Sequence, residues 1–405
     1  MKILQVNCVY NKGSTGKLVY SLHQALLQDG QQSVVAYGRG EKTDHHDVHK
    51  VSTEAEAKAH SVLSRVTGIE FAYSPLATRR LINLIKRESP DLVHLHCLNG
   101  HFLNVYKTMD YLKRHRIPTL LTLHAEIMHT AGCDHSVECE RWRTRCYGCD
   151  KVGGRIAPHF GDVVSVAFNK MREALSGFST LTVVGVSDWL TQRAAQSALM
   201  KELPCVTVHN GISTDIFKPT EFEDLRKLQG ITDEKVILHV TPNFNHAIKG
   251  GKYVLELARR MPEYRFIILG YNGAKDILPD NVTGISHTNN QQELAQYYTL
   301  SHITLLTSLR ETFSMVCAES LCCGTPVVGF KAGAPETICP PEFSEFVEQG
   351  NVDMLEQAVR RWMKAPKPDS ISQKSSQLFD DKETYKKYSA LYRQSIDGNT
   401  SSTKG

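Results

Sequence analysis

The chain has 405 residues, with 47 Lys and Arg against 43 Asp and Glu for a formal charge of +4, and 41% of it is hydrophobic. A chain of this length outgrows one hydrophobic core, so two domains of about 200 residues each are expected. The small charge, with no platform of aromatic and basic residues, argues against nucleic-acid binding. No run reaches the roughly 18 apolar residues of a membrane span, and the opening Met-Lys-Ile-Leu-Gln-Val-Asn-Cys reads as a polar-flanked strand with no apolar signal segment behind it, so the expected location is the cytoplasm.

Residues 2–6, Lys-Ile-Leu-Gln-Val, predict a strand, and Gly-Ser-Thr-Gly at 13–16 predicts the turn after it. Residues 17–28 follow as a helix with Leu18, Leu22, Ala25 and Leu26 on one side, stopped at Gly30. Further strands are expected at 33–37, at 91–96 after Pro90, at 119–124 after Pro118, and at 181–186, where Ser187 caps the next helix. Short apolar strands alternating with helices indicate a parallel sheet covered on both faces. A second series starts at 205–208, or more clearly at 235–240, and runs through 265–270, 282–285, 303–306 and 326–330, with helices over 251–261 and 291–300.

The fold class is therefore α/β, with two doubly wound Rossmann-like domains whose facing carboxyl edges make an interdomain cleft. The expected boundaries are 1–205 for the first domain and 206–380 for the second, which ends in a polar connection over 364–380. A last helix over 381–395 carries Tyr385, Tyr388, Leu391 and Tyr392 at helical spacing, and 396–405 reads as a disordered tail. Two stretches mix basic and apolar residues, 79–87 and 111–116; the first suits an amphipathic helix that packs on the sheet or touches an anionic membrane.

Four of the eleven cysteines, Cys133, Cys139, Cys146 and Cys149, crowd into one insert, and the last two have C-x-x-C spacing. Structural zinc, disulfide pairing and unliganded thiols all remain open for them. The other seven cysteines fall mostly in apolar runs and read as core filler.

The residues suited to chemistry stand at strand ends. Gly13 to Lys17 lacks the spacing of a phosphate loop, and Leu18 stands where a magnesium-binding hydroxyl would be needed, so phosphoryl transfer is set aside. Of His94, His96 and His124, the last leaves its strand aimed at the expected cleft. Lys249 precedes Gly250-Gly251 at a helix start, where an ammonium and backbone N–H groups can face one phosphate. Glu311 and Glu319, eight positions apart in a strand-to-helix segment, are too widely spaced for a matched acid/base pair and suit different parts of one elongated ligand.

Together these segments resemble the retaining glycosyltransferases of family 4, with the two-domain GT-B fold, over almost the whole chain. The resemblance is carried by the glycine turn ending at Gly16, the His124 strand end, His209-Asn-Gly-Ile, Lys249-Gly, and Arg310-Glu-Thr-Phe-Ser-Met-Val-Cys-Ala-Glu319 followed by Cys323-Gly-Thr-Pro-Val-Val. The cysteine insert is similar to that of a subgroup acting on bacterial exopolysaccharides of the colanic acid kind. The resemblance implies transfer of a sugar from a nucleoside-diphosphate sugar to a growing, polyprenyl-diphosphate-linked glycan, at the inner membrane face, with no cofactor required for catalysis. It implies that Lys249 holds the diphosphate, Glu319 the ribose, and Glu311 the transferred sugar. Thr312, Phe313 and Ser314 would offer backbone contacts, His124 would meet the sugar or its phosphate, and Gly16 would leave room for the diphosphate.

The chain departs from the family pattern at Asn243 and Ile248, where arginines are common, and at Ala125, which breaks the subgroup's His-Asp pair with Glu126 one residue later. A diphosphate near Asn243 would meet one fixed cation fewer. A sugar-nucleotide epimerase, a glycan phosphorylase of related fold and a non-catalytic sugar-nucleotide-binding scaffold stand as alternatives.

Overall fold

The computed structural model describes residues 1–136, 138–149, 162–274, 277–286, 288 and 290–402. The chain divides into two compact units, Met1–His209 with the stretch from Tyr385 onward, and Asn210–Thr384. In the first unit, seven strands form one sheet: β1 Lys2–Asn7, β2 Gln32–Tyr37, β3 Val48–Lys50, β4 Leu92–Leu95, β5 Thr119–Leu123, β6 Leu181–Gly185 and β7 Cys205–Thr207. Their order is β3-β2-β1-β4-β5-β6-β7, all parallel. In the second unit six strands do the same: β8 Val236–Val240, β9 Arg265–Leu269, β10 Val282–Ile285, β11 Ile303–Leu306, β12 Val327–Phe330 and β13 Ser344–Val347, in the order β10-β9-β8-β11-β12-β13.

These strands are short because both faces are covered by helices, so each needs only a brief unbroken apolar run. In the second unit Ile237, Phe266, Ile268, Leu305, Val328 and Phe330 meet Val254 and Leu257 of the helix Gly251–Arg260 and Leu355 and Val359 of the helix Val352–Lys364. In both sheets the chain first winds outward one way and then the other. The order reverses between β1 and β4 in the first and between β8 and β11 in the second, which opens a crevice at the carboxyl edge there.

Several expectations change. The Gly13–Gly16 segment is the first turn of the helix Gly13–Gln28, since the reversal comes earlier, at Asn11 with φ +50°, and ends at Gly13 itself with φ +63°. Cys205–Thr207 is the edge strand of the first sheet and does not open the second. The stretch read as a polar connection holds the helix Ile371–Phe379, because Ile371, Ser375 and Phe379 recur every four residues and are all 0% exposed. Its polar composition hid that one narrow stripe. Strands β3 and β13 were missed because each is three or four residues at a sheet edge.

Ser187 caps the helix Asp188–Gln196 by accepting from the Leu190 N–H at 3.2 Å. The helix Pro75–Glu88 turns Leu81, Leu84 and Ile85 inward, so its apolar stripe is spent on its own unit while Arg79, Arg80, Lys86 and Arg87 are exposed. Among the described residues no helix is long and apolar enough to cross a membrane. The last helix, Asp381–Ser402, outruns the expected end at Ser395. Ile396 packs on the first unit's core and the Asn399 amide donates to the Arg116 carbonyl at 3.0 Å, which holds a sequence that would fray alone. The final residues of the expected tail, 403–405, lie outside the described residues.

Phe379→Ala is expected to lower unfolding free energy by about 3–5 kcal/mol, the cost of emptying a buried aromatic site. Leu378→Ala, at a side chain 47% exposed, should change it little. Urea denaturation of the two variants checks this, and equal effects would return the segment to a loose connection.

Candidate active site

The loops after β8 and β11 flank the point where the second sheet's order reverses, and they are joined by their backbones. Leu309 N–H donates to the Ile248 carbonyl at 2.7 Å, and the Thr307 hydroxyl to the Lys249 carbonyl at 3.0 Å. Gly250 makes this approach feasible. It sits at φ +68°, and a Cβ there would lie 2.1 Å from the Thr307 carbonyl oxygen. Across the seam the Lys249 Nζ stands 2.7 Å from Glu311 Oε1, with both side chains mostly buried.

Glu311 is held in turn by the loop after β12. Its N–H donates to the Ala332 carbonyl at 2.9 Å and its carbonyl accepts from Ala334 at 3.1 Å. The Glu336 carboxylate takes the N–H groups of Ala332 and Gly333 at 3.0 Å, so the third loop is fixed by its own acid. Three successive strand ends therefore form one braced rim.

Beyond Glu311 the chain passes half-buried Thr312 and buried Phe313, whose ring meets Phe379 edge-on at 6.1 Å. Ser314, at φ +81°, caps the helix Met315–Cys322 by accepting from Cys317 N–H at 3.4 Å. A non-glycine residue in that region is strained, and it stands at the turn that starts the helix, whose first N–H groups have no partner within the helix. Glu319, one turn into the helix, accepts from the buried Tyr298 hydroxyl at 2.9 Å through Oε2. Burial, then the Glu319 charge, pushes the Tyr298 hydroxyl well above its ordinary value, so it remains a donor. Tyr298 escaped the sequence reading because the pair Tyr297-Tyr298 reads as the core stripe of its helix.

Asn243 is exposed and builds its own loop. Its side-chain oxygen accepts from Asn245 N–H at 3.2 Å and its carbonyl from His246 at 3.2 Å. It supplies no charge to replace the family arginine.

In the first unit, Gly16 is closed against its own turn: a Cβ would lie 3.1 Å from Val9 Cγ2 and 3.3 Å from the Val9 carbonyl oxygen. The lack of a side chain there serves the strand-to-helix turn itself. His124 stands just past β5 and is half-buried, and burial lowers it to about 4. His96 Nδ1 lies 3.4 Å from His124 Nε2, and the two rings stack at 5.6 Å. Glu126 turns away from solvent, 0% exposed, and accepts from Arg193 Nε at 2.7 Å and from Ser136 N–H at 2.8 Å. It pins the cysteine insert and does not substitute for the acid missing at Ala125.

The four cysteines of that insert share a neighbourhood. Burial, then the proximity of Cys133, Cys139 and Cys149, raises the Cys146 thiol to about 12, and its sulfur points to the Thr130 carbonyl at 3.7 Å. That is the behaviour of a protonated thiol. Among the described residues no group of three or more His, Cys, Asp or Glu is arranged to hold a metal ion, and no disulfide joins these cysteines.

A model of the glycosyl transferases group 1 matches residues 221–388, and a model of glycosyltransferase family 4 matches residues 15–216. A protein of Escherichia coli named for colanic acid biosynthesis, the glycosyl transferase WcaC, is 22% identical over 88% of this chain and 90% of its own length. In fold the chain is similar to the sucrose-phosphate synthase of Thermosynechococcus elongatus, with a TM-score of 0.70 at 16% identity over 98% of this chain and 100% of that one. It is also similar to HepE of Anabaena, solved in complex with UDP, with a TM-score of 0.68 at 15% identity over 97% and 100%. The GT-B architecture expected from the sequence is thus the architecture observed, as two Rossmann-like units.

Two outcomes follow from this geometry. Gly250→Ala should cost about 2 kcal/mol or more, since it adds carbonyl overlap to the positive φ. Gly230→Ala, at φ +64° with nothing within 4 Å, should cost only the backbone part, and comparing the two thermal midpoints checks it. The second concerns pH. His94 and His96 are driven well below their ordinary value of 6.5 by burial and His124 to about 4, so the folded state refuses protons that the unfolded chain takes up below about pH 6.5. Stability should therefore fall as pH drops from about 6.5 toward 4. Near pH 5.5 a His94→Gln variant should show a shallower dependence, by close to about 1.4 kcal/mol per pH unit for one proton, in urea titrations run at several pH values.

Proposed function

The chain belongs to the family 4, group 1 glycosyltransferases, and from that we propose that it moves a sugar from a nucleoside-diphosphate sugar to a growing, lipid-linked exopolysaccharide repeat unit of the colanic acid kind, with retained anomeric configuration. The observation that carries this reading is the braced rim of the second unit. One ammonium, one carboxylate and the start of one helix stand together at the crevice where such sheets take their ligands.

Lys249 draws the donor diphosphate, and the N–H groups at the start of Met315–Cys322 supply further donors. Glu319, steadied by Tyr298, takes the ribose hydroxyls. Glu311 is held to Lys249 until the diphosphate arrives, and then binds hydroxyls of the transferred sugar. In the reaction the acceptor oxygen bonds to the anomeric carbon on the face that the phosphate leaves. The bond from that carbon to the diphosphate oxygen breaks, and the acceptor's proton passes to the departing phosphate. The side chains bind and orient both partners and stabilise the charge that grows on the leaving group. With Asn243 in place of a cation, Lys249 carries a larger share of that charge. The acceptor is lipid-linked, and the exposed Arg79 and Lys86, beside Arg80 and Arg87 that are paired with Glu56 and Glu88, give the first unit a modestly basic face toward an anionic membrane surface.

Turnover of purified protein with UDP-, GDP- and dTDP-sugars and a polyprenyl-diphosphate-linked glycan tests the reading. A product that requires the acceptor and no inorganic phosphate separates transfer from epimerisation and phosphorolysis. Lys249→Ala and Glu319→Ala should each weaken donor binding by about 10- to 100-fold, as expected for a lost charge-assisted hydrogen bond. Glu311→Gln should lower kcat more than donor affinity. Unchanged donor affinity in both of the first two variants would remove these assignments.

A further inference from the structure

In the first sheet β4 and β5 run side by side, with His94 opposite Leu120 and Leu95 opposite Leu121. Because strand side chains alternate, His94 and His96 share a face of the sheet, and Thr122 and His124 along the neighbouring strand line lie on that same face. The rings stand in file: His94 to His96 at 3.8 Å between centroids, and His96 to His124 at 5.6 Å with planes 22° apart. At one end His94 is held by hydroxyls on both nitrogens, Tyr392 at 2.8 Å and Thr122 at 2.7 Å. Tyr388 closes the set at 3.1 Å from Thr122. The file is thus anchored by the last helix.

His96 is 4% exposed and has one ring partner besides His94, the His124 Nε2 at 3.4 Å from its Nδ1. Its Nε2 is buried and makes no hydrogen bond among the described residues. Burial holds both rings neutral, so a single proton lies between His96 Nδ1 and His124 Nε2. If His96 carried its own proton on Nε2, a buried N–H would have no acceptor. If it carries that proton on Nδ1, the orphan is a lone pair, which is the smaller cost. The Nδ1–H of His96 then donates to His124, whose Nε2 must be a bare lone pair and whose own proton must sit on Nδ1.

We propose that His96 is a positioning residue that locks the His124 ring with its proton on Nδ1, so that His124 meets the transferred sugar or its phosphate as a hydrogen-bond donor and not as a base. This rests on the sugar-transfer reading for the role of His124, but the tautomer itself does not. A donor imidazole stabilises negative charge on the oxygen it meets, and the acceptor's proton is left to the departing phosphate.

Nitrogen-15 NMR of the full-length protein labelled on histidine, with His124 assigned by its loss in His124→Gln, tests the lock directly. His124 Nδ1 should have the shift of a protonated nitrogen and Nε2 that of a bare one; the reverse assignment overturns the proposal. In His96→Leu the two tautomers should mix and kcat should fall about tenfold, the worth of one hydrogen bond, with donor KM within about twofold. His96→Asn, whose amide N–H replaces the Nδ1 donor, should restore both. An unchanged kcat in His96→Leu alongside an inactive His124→Ala overturns the positioning role. A fully active His124→Ala overturns it through the underlying reading, and the ring assignment, measured on the unaltered protein, tells those two failures apart.

Discussion

The 2.7 Å contact between the Lys249 ammonium and the Glu311 carboxylate is the interaction around which the second unit's site is organised. Two opposite charges that are mostly removed from water must satisfy each other, and they do so only because the loops after β8 and β11 are sutured by their backbones. The suture depends on Gly250 having no side chain, and Glu311 depends further on the loop that Glu336 folds after β12. In the proposed reaction a donor phosphate entering this rim would meet an ammonium already placed, so little ordering would remain to oppose binding.

The first unit is built on the opposite principle. Its strand ends carry neutral imidazoles and hydroxyls where the second unit carries ions, and burial keeps His94, His96 and His124 uncharged. Their order comes from hydrogen bonding, with Tyr388 and Tyr392 of the last helix at one end of the file and His124 at the other. A helix far along the chain therefore shapes residues near its beginning. Such a network is sensitive to where each proton sits, whereas the ionic rim is sensitive to charge.

Much of this architecture was legible in the chain. Unbroken apolar strands, proline and glycine punctuation and a serine at a helix start fixed the parallel sheets and the capped helix after β6, because those signals are local and physical. The Glu311 to Glu319 segment was legible for the same reason, being a strand end, a polar turn and a helix start in one run. The helix Ile371–Phe379 was not, since a single buried residue per turn in a polar stretch is recognisable only once its partner surface is known. Gly16 shows a related limit: a missing side chain signals close approach, and the structure adds that Val9 of its own turn is one of the groups approaching.

The sequence by itself determined the fold class, the placement of charged and imidazole groups at strand ends, and the family. Hydrophobic periodicity and turn chemistry are written in consecutive residues, which is why a linear reading captures them. Only the tertiary structure decided that Glu319 is steadied by Tyr298, that Glu126 serves the cysteine insert through Arg193, and that the His96 and His124 ring nitrogens meet. Each of those pairings joins residues distant along the chain. Their meeting is set by strand order and helix packing, and no spacing in the sequence encodes it.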